Sequence, residues 1–206
     1  EGALGALDIT TVASIVGLVS KQCQTSATIG DLPMKAELIN LALEAMAASG
    51  VDYVKVGIFP DQELIDCIRS MSSTITQLSV PVIAVLFADK MPSQKVIYQL
   101  KVNGFRGVMI DTAIKDGRHL LEHWGLLQLN SFIEEVTRYD MLCGLAGALR
   151  YEDIGELQSL GADYLGFRSA LCKNQERTTI LQVELAEQIQ RAMLSSEGGK
   201  SCQLDE

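Results

Sequence analysis

Three stretches, "ASGVDYVKVG", "VNGFRGVMID" and "SLGADYLGFR", each place a glycine just ahead of a β-prone apolar run. Gly50, Gly104 and Gly161 are 54 and 57 residues apart, the length of two β/α units each time. Each glycine is expected at the C′ position of a helix, where a positive φ costs glycine least. The repeat is weak in letters but strong in consequence, because it fixes the alternation of strand and helix along the chain. "SATIG", "DYVKVGI", "VPVIAVLF", "GVMID", "MLCGLAG" and "DYLGF" read as strands. Helical patterns fall on "KAELINLALEAMAAS", around Ile65, Ile68 and Met71, and on "SQKVIYQLK", "LNSFIEEVTRY" and "EDIGELQSL". A last helix is expected from about Thr178 to Met193, with Leu181, Leu185, Ile189 and Met193 as its core-facing stripe.

Strands apolar on both faces, alternating with helices, mean a parallel sheet covered by helices. Two architectures satisfy this: a (β/α)8 TIM barrel and an open doubly wound sheet. A doubly wound nucleotide-binding sheet normally shows a glycine fingerprint after its first strand, and neither G-x-G-x-x-G nor G-x-x-x-x-G-K-[ST] occurs. The barrel is therefore the expected fold. Six strands are two short of closure, so the first two strands are expected to be missing from the given chain, which opens with the loop-like "EGALGALDI". Residues 1–194 are read as one barrel domain, and residues 195–206 as a flexible polar tail.

A net charge of −9 argues against nucleic-acid partners and anionic membranes, which both need basic surface. A phosphorylated small molecule stays open, since a few local N–H groups or cations can outweigh the overall sign. The five cysteines show no C-x-x-C spacing, as expected of reduced thiols in a cytoplasmic protein. No apolar run reaches the roughly 18 residues of a membrane span.

Barrels carry their chemistry at the C-terminal ends of many strands. In "DYVKVGI", alternation puts Val54, Val56 and Ile58 on one face and Tyr53, Lys55 and Gly57 on the other. The β-branched face suits helix packing, so Lys55 points into the barrel, where it needs a carboxylate partner or a function. Asp111 ends "GVMID" on the inner face, and Lys115 follows in the loop over the mouth or in the first helical turn after it. Alone, Lys115 would be a loop lysine in a surface ion pair. Two lysines and an aspartate at one mouth instead suggest carbonyl chemistry, since clustered cations depress each other's pKa and only a free amine attacks a carbonyl. After the last two strands, Ala146 and Gly147, then Arg168 and Ser169, sit where barrels hold phosphates; tight-turn roles are equally open. Ser26, Thr28 and Asp31 lie near the mouth after the first strand, with Asp31 read as an N-cap or a site acid. His119 and His123, four apart on an expected helix, lack the companions of a zinc motif, and no metal is expected.

With these residues in place, "SATIGDLP", "GVDYVKVG", "IDTAIKDG", "GLAGAL" and "GADYLGFRSALC" resemble the (5-formylfuran-3-yl)methyl phosphate synthases of methanofuran biosynthesis, also called 4-(hydroxymethyl)-2-furancarboxaldehyde-phosphate synthases. The resemblance runs from "EGALGA" to about Arg177. It implies a cytoplasmic lyase on a (β/α)8 barrel, working like a class I aldolase without cofactor or metal. Two glyceraldehyde 3-phosphate molecules would condense, with loss of phosphate and water, to the furan aldehyde phosphate. Lys55 falls on a lysine that moves a proton, Asp111 and Lys115 on an acid and an amine, and Ala146, Gly147, Arg168 and Ser169 on loops that hold phosphate. The family's imine-forming lysine lies in an Asp-x-Lys strand ahead of "EGALGA". The implied partner is a small phosphorylated aldehyde, and a homo-oligomer is left open. Two other readings share these features: another phosphosugar aldolase or isomerase on the same barrel, and a degenerate barrel without catalysis.

Overall fold

In the computed structural model, residues 4–19, 22–91, 95–114 and 117–197 are described. Their strands are β1 (Ser26–Thr28), β2 (Tyr53–Gly57), β3 (Val82–Phe87), β4 (Gly107–Asp111), β5 (Leu142–Leu145) and β6 (Tyr164–Leu165). All neighbouring pairs are parallel and the order is sequential, β1 to β6. The helices are α1 (Ile9–Val19), α2 (Ala36–Ala47), α3 (Leu64–Gln77), α4 (Lys95–Val102), α5 (Leu120–His123), α6 (Leu126–Arg138), α7 (Ile154–Ser159) and α8 (Val183–Glu197). Gly50, Gly104 and Gly161 take φ of 87°, 93° and 79°, so the glycine repeat does close the turns between helices and strands.

The strands divide their side chains between two layers. Val54, Val56, Ala84, Leu86, Val108 and Ile110 pack outward against the buried stripes of α3 (Ile68, Met71) and α6 (Leu129, Val136). Ile83, Val85, Phe87, Met109 and Ala146 form a second cluster on the inner face, joined by Tyr53, Leu142 and Tyr164. A one-residue slip of β2 would turn Val54 and Val56 inward and put Lys55 beneath the helices. Each exchanged aliphatic side chain is worth about 1.5–3 kcal/mol of burial, so packing decides which way Lys55 points.

The inner cluster draws on strands from β2 to β6, which requires the sheet to curl. Glycines permit the tightest approaches: a Cβ on Gly144 would fall 2.3 Å from the Tyr164 ring, and one on Gly107 would fall 2.7 Å from the Leu142 carbonyl oxygen. The result is a curled parallel sheet of six strands, a half-barrel: the six strands read from the sequence are there, and a closed eight-stranded barrel is not shown among the described residues.

Two elements differ from the sequence reading. Helix α1 went unread in the sequence, where only the stretch leading into it, "EGALGALDI", reads as loop-like. Asp8 caps it, accepting the Thr11 N–H at 2.9 Å and the Thr11 hydroxyl at 2.6 Å. Its apolar residues fall on all sides, with Val12 buried but Ile9, Ile15 and Leu18 exposed, so no 3.6-residue period announces it. Helix α8 starts at Val183, five residues later than expected. The Thr179 hydroxyl donates to the carbonyls of Lys173 and Glu176, and Leu181 forms an antiparallel bridge with Cys172. Leu181 is thus outside the helix and exposed, while Ile189 is buried as expected. Residues 195–197, read as the start of a tail, still belong to α8, and the remainder of that tail lies outside the described residues.

Candidate active site

Lys55 stands mid-strand in β2 on the inner face, half-buried. Burial of its amine pulls its pKa below the ordinary lysine value of 10.5, and the carboxylate of Asp111 acts in the opposite direction. Asp111 closes β4 and accepts the Thr112 N–H at 2.7 Å on Oδ1. Lys55 and Asp111 share a cavity of about 220 Å³ with Ala146, Gly147, Arg168 and Ser169. Six of the seven residues singled out in the sequence are therefore brought to one space. The seventh, Lys115, lies outside the described residues.

The two small-residue loops build the far wall. After β5 the backbone turns through Gly147 (φ 115°) and Ala148 (φ 49°), successive positive values that swing the chain across the mouth. A Cβ on Gly147 would sit 2.9 Å from Thr112 Cγ2, so the glycine also sets how closely this loop meets the end of β4. The Ala146 N–H donates to the Ile110 carbonyl at 2.8 Å, so this group, expected to face an anion, is spent on the sheet. After β6, Arg168 leads into a short 3-10 turn at Ser169–Leu171.

Arg177 lines the same cavity and escaped sequence reading. It follows the 3-10 turns after β6, a stretch without hydrophobic period, so no local signal marked it. With Arg168 it brings a second guanidinium to a chain whose net charge is −9.

Lys55, Met109 and Asp111 also border a second space of about 250 Å³ that runs beneath α1, with Ser26 and Thr28 at its edge. Asp31 is neither in these cavities nor the cap of α2, whose N-cap is Lys35; it accepts the Leu4 N–H at 2.8 Å. His119 is the N-cap of α5, and its Nδ1 lies 3.1 Å from Asp153 Oδ2. No cluster of three or more metal-ligating side chains occurs among the described residues. None of the described helices is long and apolar enough to cross a membrane.

A partly buried amine, a carboxylate and two arginines thus line one cavity at the C-terminal end of a curled parallel sheet, the end at which parallel α/β barrels carry their sites. The 4-HFC-P synthase family model matches residues 1–190, and the chain belongs to that family. The chain is 32% identical over 200 residues to a (5-formylfuran-3-yl)methyl phosphate synthase of Methanococcus aeolicus, covering 92% of this chain and 85% of the relative. Among solved structures it is similar to phosphoribosyl anthranilate isomerase of Thermus thermophilus, with a TM-score of 0.57 at 12% identity, over 94% of this chain and 82% of the other. Deoxyribose phosphate aldolase of Aeropyrum pernix matches with a TM-score of 0.54 at 15% identity, over 78% and 70% of the two chains. At these identities the likeness speaks for the fold alone.

Proposed function

We propose that the protein is an aldolase-like lyase of a (β/α)8 barrel that condenses two molecules of glyceraldehyde 3-phosphate to (5-formylfuran-3-yl)methyl phosphate, in the biosynthesis of methanofuran or an analogue. The observation that carries this reading is the shared cavity of Lys55 and Asp111 in a chain of the 4-HFC-P synthase family. Condensation of two aldehydes requires a proton to leave carbon next to a carbonyl and another to reach a departing oxygen. Lys55 suits the first task, because a lowered pKa raises the fraction of free amine near neutral pH. Asp111 stabilises the ammonium that forms and returns the proton, and Lys115 is, by family resemblance, a second amine of the reaction. Imine formation belongs, by family resemblance, to the lysine of the Asp-x-Lys strand.

Phosphate groups are held by Arg168, Ser169 and the backbone from Gly147 onward. Ala146 contributes wall rather than a hydrogen bond, because its N–H is already engaged. Two guanidiniums match the two phosphates of a bimolecular condensation in number and are of opposite sign.

The test is to incubate the full-length protein with glyceraldehyde 3-phosphate and follow the furan aldehyde phosphate by mass spectrometry, with and without borohydride. The expected result is product formation, a reducible lysine adduct, and a fall of about 10²–10⁴-fold in kcat for Lys55→Gln. A wild-type protein that forms neither product nor adduct would refute the reading.

A further inference from the structure

The stretch after Asp111 is held on the β3 side by a group outside the cavity, and further on meets the β5 loop. On the β3 side, Asp89 lies in a 3-10 turn (Ala88–Lys90) directly after Phe87, the residue that pairs in register with Asp111. Its Oδ1 accepts the Ala113 N–H at 2.8 Å and its Oδ2 accepts the Ile114 N–H at 2.6 Å. The turn is itself fixed by the Trp124 indole, whose Nε1–H donates to the Ala88 carbonyl at 3.1 Å. On the β5 side, the Leu120 N–H donates to the Gly147 carbonyl at 2.8 Å, and His119 meets the buried Asp153.

Both oxygens of Asp89 are thus spent on consecutive backbone donors, two and three residues beyond the site carboxylate. Such bonds to an ionised acceptor are roughly twice as strong as neutral ones. Burial alone would raise the Asp89 pKa, yet these two N–H bonds, its own backbone and nearby His123 bring it below the usual carboxylate value. The grip lies beside the carboxylate: the peptide next before the two held by Asp89 is that of Thr112, whose N–H holds Asp111 Oδ1 at 2.7 Å.

We propose that Asp89 is a positioning residue of the active site: it sets the direction in which the chain leaves β4 and thereby holds the Asp111 carboxylate toward Lys55. The inference rests on the reading that Lys55 and Asp111 act together. Asp89 touches no substrate; it acts through the backbone on a group that does.

The experiment is a cycle of Asp89→Asn, Asp111→Asn and the double variant in the full-length protein, read in two ways. The first is the pH midpoint for modification of Lys55 by a small amine reagent, mapped by mass spectrometry. The second is kcat and KM for furan product from glyceraldehyde 3-phosphate. In D89N, an NH2 donor replaces one of the two acceptor oxygens and faces a backbone N–H, so Asp111 loosens and its support of the Lys55 ammonium weakens. The Lys55 midpoint is expected to fall by about half a unit or more, and kcat about tenfold or more with KM changed less than twofold. In the D111N background, D89N is expected to leave the midpoint where D111N alone puts it.

An equal shift in both backgrounds would mean that Asp89 acts by its own field, which overturns the proposal. An unchanged midpoint, or a shifted midpoint with kcat intact, overturns it as well. Should D89N fail to fold, Asp89→Ser, which keeps one acceptor, takes its place; failure of both to fold would make Asp89 a structural residue and also overturn the proposal. A wild-type protein that makes no furan product refutes the functional reading, and the Lys55 midpoints alone then decide the role of Asp89.

Discussion

Replacing Gly147 by alanine probes the meeting of the β5 loop with the end of β4. The backbone there has φ of 115°, a conformation that side chains of L-residues rarely adopt, and the strain of imposing it is about 1–3 kcal/mol. The added Cβ would meet Thr112 Cγ2 at 2.9 Å, the Thr112 nitrogen at 3.3 Å and the Asp111 carbonyl carbon at 3.5 Å. Thr112 is buried, and its own N–H is tied to Asp111, so the neighbour has little room to give. Overpacking of that kind costs about 1–3 kcal/mol more. The sum, about 2–6 kcal/mol, corresponds to a loss of roughly 4–24 °C in Tm for a chain of this size. Urea unfolding followed by circular dichroism gives the free energy directly. Gly17→Ala is the control: it lies in α1 with nothing within 4 Å of the new Cβ and is expected to gain up to about 1 kcal/mol. A Gly147→Ala loss below about 0.5 kcal/mol, or equal to the effect at Gly17, would refute the argument from backbone conformation and contact.

Lys55→Met is expected to raise stability at neutral pH while abolishing turnover. Because the folded-state pKa of Lys55 lies below the unfolded value, the unfolded chain holds more protons between the two. Wild-type stability should therefore rise with pH across that window, up to about 10.5, and the Met variant should lack this slope in urea melts at successive pH values. Asp153→Ala strands the Arg150 N–H, donated at 2.8 Å, and removes the partner of His119; a loss of about 1–3 kcal/mol is expected in the same assay. Among the described cysteines, iodoacetamide at pH 8 should label exposed Cys23 and spare Cys143, whose thiol burial and then Asp163 push up to about 12. Rapid labelling of Cys143 in the native protein would contradict its placement beneath the helices.

How far the sequence announces this site depends on the kind of interaction that places each residue. Lys55 and Asp111 sit on strands, where a period of two fixes the face and the apolar neighbours choose which face is inward. Their orientation follows from Val54, Val56 and Ile110, and it was legible. Gly147 was legible as a turn residue, although its contact with Thr112 depends on how two strands come together. Ala146 looked equivalent to Gly147 by composition, but the ladder from Ile110 claims its N–H, a long-range fact that spacing does not carry. Arg177 and Asp89 were silent for the same reason. Each reaches the site from a loop, through partners 20 or more residues away or across an aperiodic stretch, so neither leaves a local pattern. Helix α1 failed differently: with no polar face it offers no period to read, and the Asp8 cap was its one local mark.

The pairing of Lys55 with Asp111 is itself a consequence of curvature. Lys55 is in register with Ile83, and Ile83 with Gly107, so Asp111 stands four positions further along than the level of Lys55. In a flat sheet that offset is about 13 Å along the strand and two strand widths, about 9.6 Å, across it. A lysine stem reaches roughly 6 Å, so a flat sheet would hold amine and carboxylate apart. They nevertheless line one cavity, and the field of Asp111 is felt at Lys55. Curling brings the inner faces of β2 and β4 toward each other. The strand tilt of about 36° usual in such barrels would shift strands two apart by roughly 7 Å, about half of the 13 Å offset, and the lysine stem of roughly 6 Å covers the remainder. The nearness of the two residues thus depends on the curl of the sheet as much as on their places in the sequence. A substitution that flattened it, such as a bulky residue at Gly107 or Gly144, should uncouple Lys55 from Asp111 without touching either.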